Sequence, residues 1–296
     1  MSNSPKITWV NHAGYVLTYD NINILVDPWI NGTSFNNGWN LLTESFFPKN
    51  LSDNIDYLWI SHEHPDHFSP NNLKLLNNER IRVLFQKTSD KRVVNFLKKK
   101  NFKVIEIDNY EKFELSDKFK IMLIKNDQID SLSIFEVGDK TIINTNDCVL
   151  DKKKLNKIKK KTFIQKSDIL FTQFSYASWI GNSKNKILRK EASNEKLDQI
   201  KSQIQFFKPK VTIPFASYIY FCHEENRYMN DEITNIEKVK DVIKENNSKP
   251  IFLYPGSSYE INNNKNTFES DFLKYKKDFL KINSKEFIKI KTINFE

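Results

Sequence analysis

The stretch "SHEHPDHFS", residues 61–69, holds three of the chain's five histidines and one aspartate within six positions. It directly follows "YLWI" (57–60), an apolar run that reads as a buried strand. The spacing H-x-H-x-D-H puts His62 and His64 two apart and Asp66 beside His67. On a tight loop leaving a strand, His62 and His64 point the same way, while Asp66 and His67 turn toward a second point nearby. Imidazole and carboxylate donors suit zinc, iron and manganese. Pro65 stiffens the loop and favours preformed ligands. The pattern predicts a metal site rather than a histidine-rich surface loop.

A metal centre also needs donors from elsewhere in the chain. Asp147 closes the run "TIINTND" (141–147), where a carboxylate is placed to bridge two metals. His223 follows "KVTIPFAS" (210–217) and is one of two histidines outside the cluster. Asp27 ends "INILVD" (22–27), placed to orient a ligand histidine. Locally, Asp27 and Asp147 also read as turn residues; their shared position at strand ends favours the site. Gln173 ends another strand and, with Tyr176, Ser178 and Trp179, reads as pocket lining or as plain loop. Trp29, Phe35 and Trp39 read as a stacking wall beside the site or as core and loop anchors. Cys148 and Cys222 read as small buried hydrophobes.

Around this centre the first half of the chain is rich in strands. "KITWV", "YVLTYD", "IRVLFQ", "FKVIEID", "FKIMLIK" and "LSIFEVGD" are short β-branched or aromatic runs between turn residues. Ser69 as N-cap and Pro70 in the first turn predict a helix over "SPNNLKLLNN" (69–78). Further helices are predicted over 89–101, 191–207 and 231–246, alternating with strands. A meander followed by alternation suits two packed sheets with helices outside, in one domain over 1–296.

Composition narrows the function. With 39% hydrophobic residues and 23 Phe, a sizeable core can be buried. No 18-residue apolar run is present, and "MSNSPKITWV" lacks signal-peptide order, so no membrane association and a cytoplasmic location are expected. Two cysteines are too few for a disulfide framework. The net charge of +9 comes largely from lysine runs at 98–100, 151–161 and in the tail "KIKTINFE". These read as solvated helix faces, or as attraction for an anionic small molecule or an acidic redox partner. They are not interleaved with aromatics and match no nucleic-acid motif, so no nucleic-acid partner is expected.

The cluster, with "LVDP" upstream and "NTND" downstream, resembles the metallo-β-lactamase superfamily. That resemblance implies an α/β fold, an αββα four-layer sandwich, with a dinuclear site at one edge of its two sheets. The segments "ILVDPWINGTSFNNGWNLL" (24–42), "IDSLSIFEVGDKTIINTNDC" (129–148), "PKVTIPFASYIYFCHEENRYM" (209–229) and "YPGSSYEI" (254–261) resemble, in order, the CMP-N-acetylneuraminate hydroxylase branch. Carried over by position, His62 and His64 serve the first metal, Asp66, His67 and His223 the second, and Asp147 bridges. Asp66 is the candidate catalytic carboxylate. His12, in "NHAGYVL", resembles a histidine that opens many lactonase-like members and is expected in the pocket or behind a ligand.

Two departures shape the functional expectation. The superfamily usually has a further histidine where this chain reads "IKNDQIDS" (124–131), with Asn126 at about that place. Asp127 is the expected replacement ligand and Asp130 the alternative. The hydroxylase branch carries a Rieske cluster, which needs two Cys and two His; this chain has no such set, so a separate Rieske or ferredoxin-type electron donor is expected. Two metal ions are expected, with iron favoured by carboxylate-rich ligation and zinc or manganese as alternatives. The reaction expected is di-iron monooxygenation of a nucleotide-activated or acidic amino sugar; the alternative is hydrolysis by a metal-bound hydroxide.

Overall fold

A computed structural model of the chain describes residues 4–127, 129–261 and 268–289. The basic tail from residue 290 lies outside the described residues. The first half runs β1 (Lys6–Asn11), β2 (Gly14–Tyr19), β3 (Ile22–Val26), β4 (Trp39–Leu41), β5 (Tyr57–Trp59), β6 (Arg82–Gln86), α1 (Arg92–Lys99) and β7 (Lys103–Ile107). It continues with β8 (Lys112–Ser116), β9 (Phe119–Asn126), β10 (Asp130–Val137), β11 (Lys140–Asn144), α2 (Lys152–Thr162), β12 (Ser167–Gln173), α3 (Lys186–Phe207) and β13 (Pro209–Phe215). The remaining elements are β14 (Ile219–Phe221), α4 (Ile236–Glu245), β15 (Lys249–Pro250), β16 (Ser258–Glu260) and α5 (Phe268–Leu280).

The strands form two seven-stranded sheets, ordered β16-β1-β2-β3-β5-β6-β7 and β15-β13-β12-β11-β10-β9-β8, plus a β4–β14 pair. Strand periodicity explains how they stack. Ile24, Val26, Tyr57, Trp59 and Leu84 enter the core shared with the second sheet. Their alternates Leu25, Leu58, Val83 and Phe85 pack on the opposite face with Val93, Val94 and Leu97 of α1. Strands buried on both faces read as continuous apolar runs, which is why "ILV" and "YLWI" look as they do. On the far side of the second sheet, Leu155 and Ile158 of α2, Ile200 and Ile204 of α3, and Val239 and Ile243 of α4 complete the core. The result is a four-layer helix–sheet–sheet–helix arrangement. Tyr15 of β2 stacks on Phe171 of β12 at a centroid distance of 4.4 Å, joining the sheets at their centre.

The expected helix over 69–78 is instead a short 3-10 turn, Asn72–Leu75. Asn72 is buried and its Oδ1 accepts from the backbone N–H groups of Ile30 and Asn31, so this segment serves as a clamp on the neighbouring loop. α3 starts five residues earlier than expected and α4 five later. Strands β4, β8 and β14 and helix α5 were not expected; the first three are only three to five residues long.

Candidate metal centre

The candidate residues gather where strands of both sheets end. Asp27 follows β3, His62 and His64 follow β5, Asp147 follows β11, and Gln173 closes β12. His12 occupies the β1–β2 turn and Asp130 opens β10. Cross-links tie these loops together: Ala216 N–H donates to His12 O at 2.9 Å, and Ser131 Oγ donates to Ser61 O at 2.7 Å. His12, Asp27, Asn146 and Ala216 all have left-handed backbones, with φ of 49°, 35°, 51° and 54°. Such non-glycine conformations persist only where surroundings over-determine them, and they cluster at functional sites.

The donor atoms are held from behind. Asp27 is fully buried and accepts from Ser61 N–H (2.8 Å), Ser61 Oγ (2.6 Å), His67 Nδ1 (3.0 Å) and Asn146 Nδ2 (3.2 Å). Because the Ser61 hydroxyl donates to Asp27, it accepts from His62 Nδ1 at 2.9 Å. Both imidazoles therefore present Nε2 forward. His67 Nε2 lies 3.2 Å from Asp66 Oδ2 and 3.5 Å from Asp147 Oδ2, and His12 Nε2 lies 3.2 Å from Asp66 Oδ2. On the other side, His62 Nε2 is 2.8 Å from His64 Nδ1 and 3.8 Å from Asp130 Oδ1. Ligand bonds of 2.0–2.2 Å at ordinary angles space donor atoms by about 3.0–3.5 Å; the separations among His12, Asp66, His67 and Asp147 fall in that range, while His62–His64 is slightly closer and His62–Asp130 slightly wider.

Orphaned atoms support the same reading. Among the described residues, Asp66 Oδ1, His67 Nε2, Asp130 Oδ1 and Asp147 Oδ1 are buried without a hydrogen-bond partner, an arrangement that costs free energy unless something satisfies it. Three donor groups result: His12, Asp66 and His67; His62, His67 and Asp147; and His62, His64 and Asp130. They overlap through His62 and His67, with Asp147 between, and suit a dinuclear metal site. Burial pushes His62 down to about 4, and the charge of His67 adds to this. Burial also opposes a charge on His67, yet Asp66 and Asp147 hold it well above the usual histidine range. Burial and then Asp147 push Asp130 up.

Several residues stand apart from their expected roles. His223, expected as a ligand, joins none of the donor groups among the described residues. It bridges to Ile288, and its Nδ1 accepts from Glu225 N–H at 3.3 Å. His12, expected only in the pocket or behind a ligand, takes the place beside Asp66. Asp127 also joins no group; its left-handed backbone turns the carboxylate outward onto Lys154 Nζ at 2.8 Å. Asp130, the alternative, faces His62. Asn126 is buried and donates to Asp127 Oδ2. Trp29 is buried edge-on to His12 at 5.5 Å and donates to Gly32 O, so it supports the site from within. Cys148 and Cys222 are buried free thiols.

The centre opens into a cavity of about 560 Å³ lined by His64, Asp66, Asp130 and Asp147, within the range of small-molecule sites. Phe35 and Trp39, 4.3 Å apart, form one wall, and Gln173, Tyr176, Ser178, Trp179 and Lys196 complete it. Ser61, Asn146 and Lys196 were missed by sequence reasoning. Ser61 and Asn146 adjoin His62 and Asp147, and that adjacency was the available signal.

The "Beta-lactamase superfamily domain" model matches residues 6–179, and the chain belongs to that family. Among curated proteins, it is 26% identical over 254 residues to the cytidine monophosphate-N-acetylneuraminic acid hydroxylase of Danio rerio, covering 77% of this chain and 40% of the relative. The same hydroxylase of Xenopus laevis is 26% identical over 250 residues, covering 78% and 41%. The chain thus spans about two-fifths of the length of these relatives. Among solved structures, CmlA, a diiron β-hydroxylase from Streptomyces venezuelae, superposes with a TM-score of 0.64 at 16% identity over 88% of this chain and 55% of that one. A possible metal-dependent hydrolase from Veillonella parvula has a TM-score of 0.64 at 16% identity over 87% and 99%. At such identities these structures establish the fold alone. No helix among the described residues is long and apolar enough to cross a membrane.

Proposed function

We propose that this chain is a dinuclear metal-dependent oxygenase of the cytidine monophosphate-N-acetylneuraminate hydroxylase type. It hydroxylates an acidic or nucleotide-activated amino sugar in the cytoplasm, with electrons from a separate protein. The observation that carries this reading is the donor set: Asp66, Asp130 and Asp147 meet His12, His62, His64 and His67 at one sheet edge. Three carboxylates favour a hard, redox-active ion such as iron over zinc, and the curated relatives are hydroxylases.

In this reading His62, His64 and Asp130 would hold one ion and His12, Asp66 and His67 the other, with Asp147 beside both groups; iron bound there would supply the redox chemistry that dioxygen activation needs. The chain's own residues do the rest. Asp27 and Ser61 fix the tautomers of His67 and His62, so that Nε2 of each faces the centre. Phe35, Trp39 and Tyr176 exclude water from one side of the cavity and offer flat faces to a substrate ring.

The test is anaerobic loading with ferrous iron, followed by CMP-N-acetylneuraminate, a ferredoxin-type reductant and labelled dioxygen. The expected product gains one oxygen atom from dioxygen. The alternative reading is hydrolysis by a metal-bound hydroxide, which the same paired-donor site could support. Product labelled from water, without reductant or dioxygen, would establish that reading instead.

A further inference from the structure

One cation reaches the cavity without a direct ion pair among the described residues. Lys196 lies midway along α3 and lines the cavity beside Asp147, Gln173 and Glu195. Its Nζ donates to Gln173 Oε1, and among the described residues it forms no ion pair. A lysine ammonium carries three donors and no acceptor, so further donors remain for a ligand. Burial pushes its pKa down, while Asp147 opposes that shift.

The position of Lys196 is built rather than accidental. Ala192, Lys196, Gln199 and Gln203 recur at helical spacing along one face of α3. Gln199 Nε2 donates to Cys148 O at 3.1 Å, and Gln203 Oε1 accepts from Thr145 Oγ1 at 3.0 Å. The helix is therefore pinned on both sides of Asp147, and Lys196 is carried at a set place beside the centre. Asp147 and Glu195 offset its charge in the protein alone. Divalent ions held by Asp147 would take up that carboxylate's charge, leaving Glu195 as the nearby counter-charge and the remaining donors of the ammonium open to an anionic ligand.

We infer that Lys196, positioned by Gln173, is the anchor for an anionic group of the substrate, a carboxylate or a phosphate, in the cavity that Phe35 and Trp39 also line. This rests on the proposed metal centre only for the neutralisation of Asp147. It assigns substrate selection to a residue that is not a metal donor. The ammonium orients the substrate by its anion, and the aromatic wall takes the less polar part.

The test uses zinc-loaded protein, which binds without oxidative turnover, and calorimetric titration with three probes. CMP supplies a phosphate without a carboxylate, N-acetylneuraminate a carboxylate without a phosphate, and CMP-N-acetylneuraminate supplies both. Lys196→Met should weaken at least one probe tenfold or more, with zinc stoichiometry and melting temperature unchanged, and Lys196→Arg should recover most of that loss. The probe most affected identifies the anion. The inference is overturned if Lys196→Met binds every probe within twofold of wild type, or if wild type binds none of them. Absence of oxygen uptake by the iron form would count against the oxygenase reading and leave this binding result intact.

Discussion

Replacing His12 with Asn should remove one metal ion, whereas replacing His223 with Ala should remove none. His12 is fully buried, and its Nε2 sits 3.2 Å from Asp66 Oδ2 in the same donor group as His67. His223 is partly exposed and, among the described residues, its contacts are with its own loop and the backbone at Ile288. Asn is the informative replacement because His12 has φ 49°, a left-handed conformation that Asn tolerates and Ala strains. Loss of a group that merely orients a ligand costs about 10–100-fold in metal affinity, so loss of the donor itself should cost at least about 100-fold, or about 2.7 kcal/mol. His223→Ala gives up one weak backbone contact and should change stability by less than about 0.5 kcal/mol. Native mass spectrometry during competition with a chelator reads both stoichiometry and affinity. The reasoning is refuted if His12→Asn holds two ions with affinity within threefold of wild type, or if His223→Ala loses one.

Two further outcomes follow from the same geometry. Asp130→Asn should lose metal bound through His62 and His64, while Asp127→Asn should retain it and, because its ion pair with Lys154 is largely exposed, cost no more than about 0.5 kcal/mol in a denaturant titration. Zinc binding near pH 7 should release about one proton, measured by calorimetry in buffers of different ionisation enthalpy: His67 is held protonated by Asp66 and Asp147 and must become neutral to ligate, whereas His62, already pushed down to about 4, has none to give. Apparent affinity should accordingly rise with pH until His67 has lost its proton, and a flat profile would contradict the assignment.

The strands and their layering were legible because burial on both faces leaves runs such as "ILV" and "YLWI" that no exposed segment would carry. Two packed sheets with helices outside followed from their order, and the αββα sandwich from the family resemblance. Strands β4 and β8 were not legible, since Asn40 interrupts the one and Lys112 and Glu114 the other, and β14 follows the apolar run of β13 closely; β5 is as short as β4 but fully buried, and reads clearly. At the site, the residues that follow buried strands were readable because a strand end sets where the next side chain must be. The residues in turns were not. Asp127 and Asp130 are three positions apart with the same chemistry, and only the left-handed backbone at Asp127 sends its carboxylate to Lys154 while Asp130 meets His62. His12 posed the same difficulty: a turn of the other hand would aim its imidazole elsewhere. Lys196 was hidden for a different reason. In a chain with 46 Lys and Arg residues, one more lysine on a helix carries no signal until its neighbours are known.

The division of donors between the sheets bears on how such a centre could select its chemistry. His12, His62, His64, Asp66 and His67 leave the first sheet, together with Asp27, which orients them. Asp130 and Asp147 come from the second, along with Gln173 and the helix carrying Lys196. The histidines thus form one nearly complete half, set by the loop after β5, the β1–β2 turn and Asp27. The second sheet adds carboxylates and the cavity wall, and braces that half through Asn146, Ser131 and Ala216. Changes at Asp130 or Gln173, which make none of these bracing bonds, would alter the charge at the site and the wall opposite it while leaving those hydrogen bonds in place. A hydroxylase and a hydrolase need different charge at the metal and different substrates, but the same paired ions. On this arrangement, Asp130, Gln173 and Lys196 set the charge and the wall opposite the histidines, and the histidine cluster by itself favours neither chemistry.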